Sequence, residues 1–347
     1  MQPINVAVLF GGCSPEYGVS LESAHAVITH MDREKYHPVL IGISPEGRWF
    51  HYTGDVERIP ENTWQGAGCV PAAVSPDREE KCLLALGENG VEKIRLDAAF
   101  PVLHGRNGED GTVQGVFELA GIPIVGCGVL ASALCMDKAR AHRLAKEAGV
   151  DVPASVVLER GMEAAQAAQA LGYPLFAKPV RAGSSYGVTR VETPEGLDAA
   201  VALAFRYDSE IILEEAISGF EVGCAVMGND SLTVGELDEI ELSGGFFNFK
   251  EKYTLETSAI HVPARISPEK ADEMKEAARK IYRALGCRGF ARVDMFLEPG
   301  GRIVFNEANT IPGFTAHSRY PSMMRAAGMP FGQVVSALIG LAVGDAP

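Results

Sequence analysis

Apolar and polar positions along this chain fall into alternating helical and extended blocks. Val6, Ala7, Val8, Leu9 and Phe10 form an unbroken apolar run ending at Gly11-Gly12, the pattern of a strand buried on both faces. A helical period follows over residues 19–31, then a second apolar run over 39–43. Residues 98–103 are another strand, ending in a polar, glycine-rich loop at 104–111. This alternation predicts an α/β unit with a parallel sheet. Chemistry in open α/β sheets collects at the carboxyl ends of strands, so the loops after Phe10 and after residue 103 are expected to line one crevice. The turn at Gly11 lacks the G-x-G-x-x-G pattern, which weighs against a dinucleotide fold.

The first unit closes around residues 126–128. A helix is expected over 136–149, then a strand at 174–178, a loop at 179–187 and a strand at 188–191. A helix at 197–205 and a strand at 210–213 complete the second unit. The third begins near Ser218, with a strand at 222–227, a long polar loop at 243–258 and a helix at 268–285. It ends in a hairpin of residues 291–297 and 302–309 around Glu298-Pro299-Gly300-Gly301. The expected units are 1–127, 128–217 and 218–347.

Composition narrows the function. The chain has 347 residues, more than one ordinary core. A net charge of -14 argues against nucleic acid or an anionic membrane as partner. The N-terminal residues lack a basic stretch with a long apolar core, so no signal peptide is expected. The apolar run at 334–343 is too short to span a bilayer. The 7 cysteines form no C-x-x-C pair and sit mostly among apolar neighbours. They are expected to be reduced core residues of a cytoplasmic protein.

Strand periodicity puts Arg292, Asp294, Glu307 and Asn309 on one face of the hairpin. If Leu297 lies opposite Arg302, Arg292 lies opposite Glu307 and Asp294 lies diagonal to it. Diagonal neighbours are roughly 7–8 Å apart at the backbone, so both carboxylates can reach one cation. Oxygen ligands suit Mg²⁺, which usually also holds substrate phosphates. A plain Arg–Glu ion pair on a wet sheet face is the other reading. The loop at 181–187 sits between two strands as a flap; its glycines let backbone N–H groups close over a phosphate, and Ser184 and Ser185 add hydroxyls. Lys178 ends the preceding strand, and Lys138 offers a second cation. Glu214 and Glu215 end a strand suited to an adenine edge and ribose hydroxyls, with Glu221 after the next turn.

Together these elements resemble the ATP-grasp fold, and the chain as a whole is similar to the D-alanine–D-alanine ligase family. The segments that carry this are Phe10-Gly11-Gly12-Cys13-Ser14-Pro15-Glu16, His104-Gly105-Arg106-Asn107-Gly108-Glu109-Asp110-Gly111, Met136-Asp137-Lys138, Lys178-Pro179 with Gly183-Ser184-Ser185, and Asn306-Glu307-Ala308-Asn309-Thr310-Ile311-Pro312-Gly313. The resemblance implies a three-domain ATP-grasp architecture of α/β class, ATP and two Mg²⁺ (with Mn²⁺ able to substitute). It implies a homodimer acting on D-alanine and a second D-amino acid. It assigns Glu16 and His104 to the first D-alanine, and Lys138, Lys178, Gly183 and Ser185 to ATP phosphates. Glu214, Glu215, Ile217 and Glu221 are assigned to adenosine, and Asp294, Glu307 and Asn309 to the metals. Arg292 would stabilise the tetrahedral intermediate, and Ser318 and Gly313 would hold the second carboxylate. The implied reaction makes an acyl phosphate of D-alanine, which needs cations against two meeting anions and a site closed to water. The loop at 243–258 is the expected lid.

The lid pair Lys252-Tyr253 resembles that of peptide-forming members, in which the Tyr joins Ser184 and Glu16 over the site. The D-lactate ligases of vancomycin resistance carry a His lid without this pair, so an amide product is expected. Ser318-Arg319-Tyr320 and the lid resemble the VanG-type vancomycin-resistance D-alanine–D-serine ligases, which implies that Arg319 and the lid residues Asn248 and Lys252 contact the second substrate. Gly18 replaces a usually charged or polar residue, and Asn248 stands where the VanG-type pattern has Asp. Asn248 can still hydrogen-bond a serine hydroxyl. The expected function is D-alanine–D-serine ligation for altered peptidoglycan precursors. A housekeeping D-alanine–D-alanine ligase is the alternative, and a non-catalytic ATP-binding module the reading from another class.

Overall fold

The computed structural model describes residues 3–242, 258–315 and 317–344. The expected lid contacts Asn248, Lys252 and Tyr253 lie outside the described residues. The described strands form three sheets. The first has seven strands, in the order Gly90–Arg95, Cys82–Gly87, Cys69–Val74, Trp49–Tyr52, Tyr36–Ile43, Ile4–Gly11, Ala98–Pro101. Alternate residues of Ile4–Gly11 enter two different cores. Val6, Val8 and Phe10 pack with Leu21, Ala24 and Ile28 of the helix Tyr17–His30. Ala7 and Leu9 pack with Val113 and Phe117 of the helix Thr112–Leu119. A helix on each face explains the unbroken apolar run.

The expectation of a parallel sheet holds only at its centre. Tyr36–Ile43 and Ala98–Pro101 flank Ile4–Gly11 in parallel. The strands from Trp49 to Arg95 add on antiparallel. Tyr36–Ile43 leaves through a tight turn in which Gly47 N–H donates to the Ser44 carbonyl at 2.9 Å. A parallel neighbour would need a crossover of a dozen or more residues.

The second sheet has four antiparallel strands, ordered Thr189–Val191, Leu175–Pro179, Glu210–Glu215, Ser155–Glu159. The flap therefore does join two paired strands. The third sheet is ordered Ser258–His261, Leu232–Leu242, Phe220–Gly228, Phe290–Leu297, Ile303–Asn309. Its strand Leu232–Leu242 was missed in the sequence, where its acidic residues look like a solvated loop. The helix Pro268–Ala284 covers this sheet with Met274, Ala278 and Ile281, one face at helical spacing. Ser267 caps it, accepting from Lys270 N–H at 3.3 Å. The helix expected over 136–149 is Lys138–Glu147, and a separate helix, Val129–Met136, precedes it. Asp137 breaks the run and caps the second, accepting from Arg140 N–H at 2.9 Å.

The hairpin register also differs from expectation. Leu297 pairs with Ile303, Asp294 with Glu307 and Arg292 with Asn309, with a bulge at Asn306. Phe305 and Glu307 would share a face in a regular strand. The bulge sends Phe305 into the core, fully buried, and turns Glu307 and Asn309 toward Asp294.

Candidate active site

Two cavities meet where the three sheets converge. One, about 690 Å³, is lined by Glu16, His104, Gly183, Ser184, Arg292, Asn309, Gly313, Ser318 and Arg319 among others. The other, about 700 Å³, is lined by Lys178, Ser185, Glu214, Glu215, Ile217 and Glu221 among others. Lys138, Ala182 and Glu307 line both and form the wall between them. Every described residue expected at the site lines a cavity except Asp294, which is buried beneath at 1% exposure.

In the first cavity loops do the positioning. His104 is buried, with Nδ1 donating to the Ile311 carbonyl at 2.9 Å and Nε2 facing the Ser23 hydroxyl at 3.3 Å. The carbonyl can only accept, so Nδ1 carries the hydrogen and Ser23 donates to Nε2. Burial holds the His104 pKa below its ordinary value, against the pull of Glu16. Glu109 accepts from Gly105 N–H at 2.7 Å and Ile311 N–H at 3.2 Å. Burial, then Glu16, pushes the Glu109 carboxyl up to about 8. A Cβ on Gly105 would lie 2.9 Å from Glu16 Oε2, and one on Gly183 would lie 3.4 Å from it. The flap and the 104–111 loop thus both close on the Glu16 carboxylate. Ser184 and Ser185 both hold positive φ, 51° and 59°, a strained state that clusters at ligand clamps. Ser318 caps the helix Arg319–Ala326 by position, and its hydroxyl accepts from Thr315 N–H at 3.0 Å.

In the second cavity strands carry paired charges. Lys178 Nζ donates to Glu214 Oε2 at 2.6 Å. Burial works to raise the Glu214 pKa, but Lys178 and His142 together hold it below the usual value. Lys138 Nζ donates to the Ala182 carbonyl of the flap at 2.9 Å and lies 3.6 Å from Glu307. Glu215 accepts from Ala154 N–H at 2.9 Å.

Beneath both cavities lies a cage of acids and arginines. Arg292 grips Asp294 through Nε at 2.8 Å and Nη2 at 2.7 Å. Asn309 Nδ2 donates to Asp294 at 2.9 Å. Arg319 donates to Asp238 from Nε at 2.7 Å and Nη2 at 2.8 Å, and from Nη1 to Glu221 at 2.7 Å, with Asp294 at 3.4 Å. Burial opposes ionisation of Asp238, yet Arg319 keeps its pKa below the usual range. A Cβ on Gly223 would lie 2.4 Å from Arg319 Nη2 and 2.5 Å from Asp238, so only glycine leaves room for this pair. Arg319, expected to read the second substrate, has all its donor edges turned to acids of the third sheet.

Among the described residues, no three His, Cys, Asp or Glu side chains are grouped to hold a metal. Asp294 and Glu307 supply only two carboxylates, with Asn309 as a neighbouring amide. Such a sparse oxygen set fits Mg²⁺, which keeps waters and takes its remaining ligands from substrate phosphates. Asp238, His142, Glu109 and Ser23 were not singled out in the sequence. Only Glu109 had a signal there, as part of the 104–111 motif; the others are ordinary polar residues until the fold buries them.

The comparisons with known proteins agree along the whole chain. A family model described as D-ala D-ala ligase N-terminus matches residues 5–127, and one described as D-ala D-ala ligase C-terminus matches residues 144–340. The vancomycin B-type resistance protein VanB of Enterococcus faecalis is 49% identical, covering 99% of this chain and 99% of its own. A putative D-alanine–D-lactate ligase of Streptomyces coelicolor is 46% identical, covering 99% of each. The crystal structure of VanG D-Ala:D-Ser ligase from Enterococcus faecalis superposes with a TM-score of 0.92 at 55% identity, covering 98% of this chain and 100% of that one.

Proposed function

This chain belongs to the D-alanine–D-alanine ligase family, and we propose that within it the enzyme joins D-alanine to D-serine. It is an ATP-dependent ligase with the ATP-grasp fold, and the family uses a divalent metal. The observation that carries the choice of serine is the 55% identity to VanG D-Ala:D-Ser ligase across 98% of this chain. The Ser318-Arg319-Tyr320 segment supports it.

In this reading the first cavity takes the amino acids and the second takes the nucleotide. Glu16 and His104 hold the first D-alanine. The His104 Nε2 that faces Ser23 is fixed by the bond from Nδ1 to Ile311. Glu214, Glu215, Ile217 and Glu221 surround adenosine, while Lys178, Gly183 and Ser185 reach its phosphates. Lys138 stands in the shared wall, where the γ-phosphoryl group must pass to the D-alanine carboxylate. Asp294, Glu307 and Asn309 would hold two Mg²⁺, or Mn²⁺ in their place. Bound metal would offset the charge of the phosphates and the developing acyl phosphate.

The amine of the second substrate then attacks the acyl carbon and phosphate leaves. Arg292 faces the oxyanion of that step. Ser318 and Gly313 hold the second carboxylate, and Ser184 with Glu16 and Tyr253 closes the site. Asn248 and Lys252 belong to the lid that meets the second substrate. Arg319 acts indirectly, by fixing Glu221 and Asp294. Hydrogen bonding to a serine hydroxyl lets such a site reject D-alanine strongly. The proposal extends to a cytoplasmic homodimer that makes altered peptidoglycan precursors.

The test is competition between D-serine, D-alanine and D-lactate as second substrates at neutral pH. D-Serine should dominate the product. Dominance of D-alanine would make this a housekeeping ligase. An ester product would favour the activity named for the 46% identical relative.

A further inference from the structure

His142 lies on the helix Lys138–Glu147 and is 3% exposed. Its Nε2 lies 2.8 Å from the carbonyl of Asn306, the bulge residue that turns Glu307 and Asn309 toward Asp294. Its Nδ1 lies 3.8 Å from Glu214 Oε1. Both of those atoms are buried and make no hydrogen bond. The other oxygen of Glu214 holds Lys178. One imidazole thus stands between the strand of the phosphate-facing lysine's partner and the bulge of the metal-facing strand.

A carbonyl oxygen only accepts, so Nε2 carries a hydrogen. A bare Nδ1 would then set a nitrogen lone pair against a carboxylate oxygen in a place closed to water. Two buried acceptors face to face leave both unsatisfied, which is costly. A proton on Nδ1 turns the same geometry into an ion pair. The charged groups around the ring are Glu214, Lys178 beyond it, and Lys138 at the start of the same helix. Phe305 packs against the ring edge-on at 5.6 Å.

We propose that His142 is a positioning residue for nucleotide and metal, a doubly protonated ring donating to the Asn306 carbonyl and ion-paired with Glu214. It shares the Glu214 charge with Lys178, so the lysine keeps positive charge for a phosphate, and it fixes the bulge that aims Glu307. This rests on the ligase reading for the identity of the nucleotide.

The test is calorimetric titration of the full chain with Mg·ADP, beside D-alanine-dependent phosphate release. His142→Phe should weaken Mg·ADP binding about tenfold, in the range for partners that orient ligands. Its KM for D-alanine should stay within about twofold of the parent. His142→Gln, which keeps a donor for Asn306, should recover part of the loss. A His142→Phe protein that binds Mg·ADP as tightly as the parent would overturn the proposal. If that variant does not fold, a His142→Gln protein that binds Mg·ADP as tightly as the parent would overturn it. A parent that binds Mg·ADP but releases no phosphate with D-alanine would instead sink the ligase reading, and the His142 comparison would still be decided by binding.

Discussion

The two adjoining cavities are built in different ways. The cavity proposed for the nucleotide is built on strands. Lys178, Glu214, Glu221 and Glu307 all lie within paired strands, and their charges are matched at 2.6 to 2.7 Å where they meet Lys178 or Arg319. The cavity proposed for the amino acids draws on loops and helix starts. Glu16 precedes the helix Tyr17–His30, Ser318 precedes Arg319–Ala326, and the 104–109 loop is tied to Ile311 through backbone groups. Charge neutralisation needs dipoles fixed before the reaction, which strands provide. Choice of substrate is made by groups that loops can reposition without disturbing the sheets.

The largest expected effect separates the two sides. Arg292 reaches up from the strand floor into the amino-acid cavity. Arg292→Lys cannot reproduce the two-pronged grip on Asp294, and ligation should fall by about a thousandfold, about 4 kcal/mol. Mg·ADP binding should change far less. Equal losses in both measurements would place Arg292 on the nucleotide side.

A smaller effect tests whether the strand-built side owes its rigidity to paired charge. Arg319→Leu strands Asp238, fully buried, without its counter-ion. Urea unfolding should show a loss of about 3 kcal/mol. Adding Asp238→Leu should return part of it, since the uncompensated charge is the main cost. No recovery would mean that packing, not charge, holds that corner.

The smallest effect lies in the loops. Burial lifts the Glu109 carboxyl to about 8 from an ordinary 4.5. The folded protein therefore keeps a proton that the unfolded chain releases. That contribution is full below about pH 4.5 and is lost as pH rises through about 8. Glu109→Gln should flatten the decline in stability between those limits, seen as melting temperature against pH. An unchanged slope would show that the clasp on Ile311 stays charged and does its work through the backbone hydrogen bonds alone.

Much of the site was legible along the chain because its parts are short runs with strong chemistry. The Gly183-Ser184-Ser185 flap, the Lys178 strand end and the loop at 104–111 each declare a local geometry. The face shared by Arg292, Asp294, Glu307 and Asn309 was also legible, yet their pairing was not. A strict alternation puts Phe305 beside Asp294 on the wet face. The bulge at Asn306 resolves that conflict, and it is driven by the gain from burying a phenyl ring in a core assembled from distant residues.

The sequence by itself determined the strands that hold the charged residues, through local period and residue type. It determined the reaction class through the motifs shared with the D-alanine–D-alanine ligase family. Only the tertiary structure decided that Asp294 faces Glu307, that Arg319 turns to Asp238, and that His142 stands between Glu214 and the bulge. Each of these pairs lies 13 or more residues apart in the chain, at 13 for Asp294 and Glu307, 72 for His142 and Glu214 and 81 for Arg319 and Asp238. Asp294 and Glu307 are brought opposite each other by the strand register and its bulge. The other two pairs are chosen by burial, because a charge taken from water must find its counter-charge wherever the packed sheets bring one.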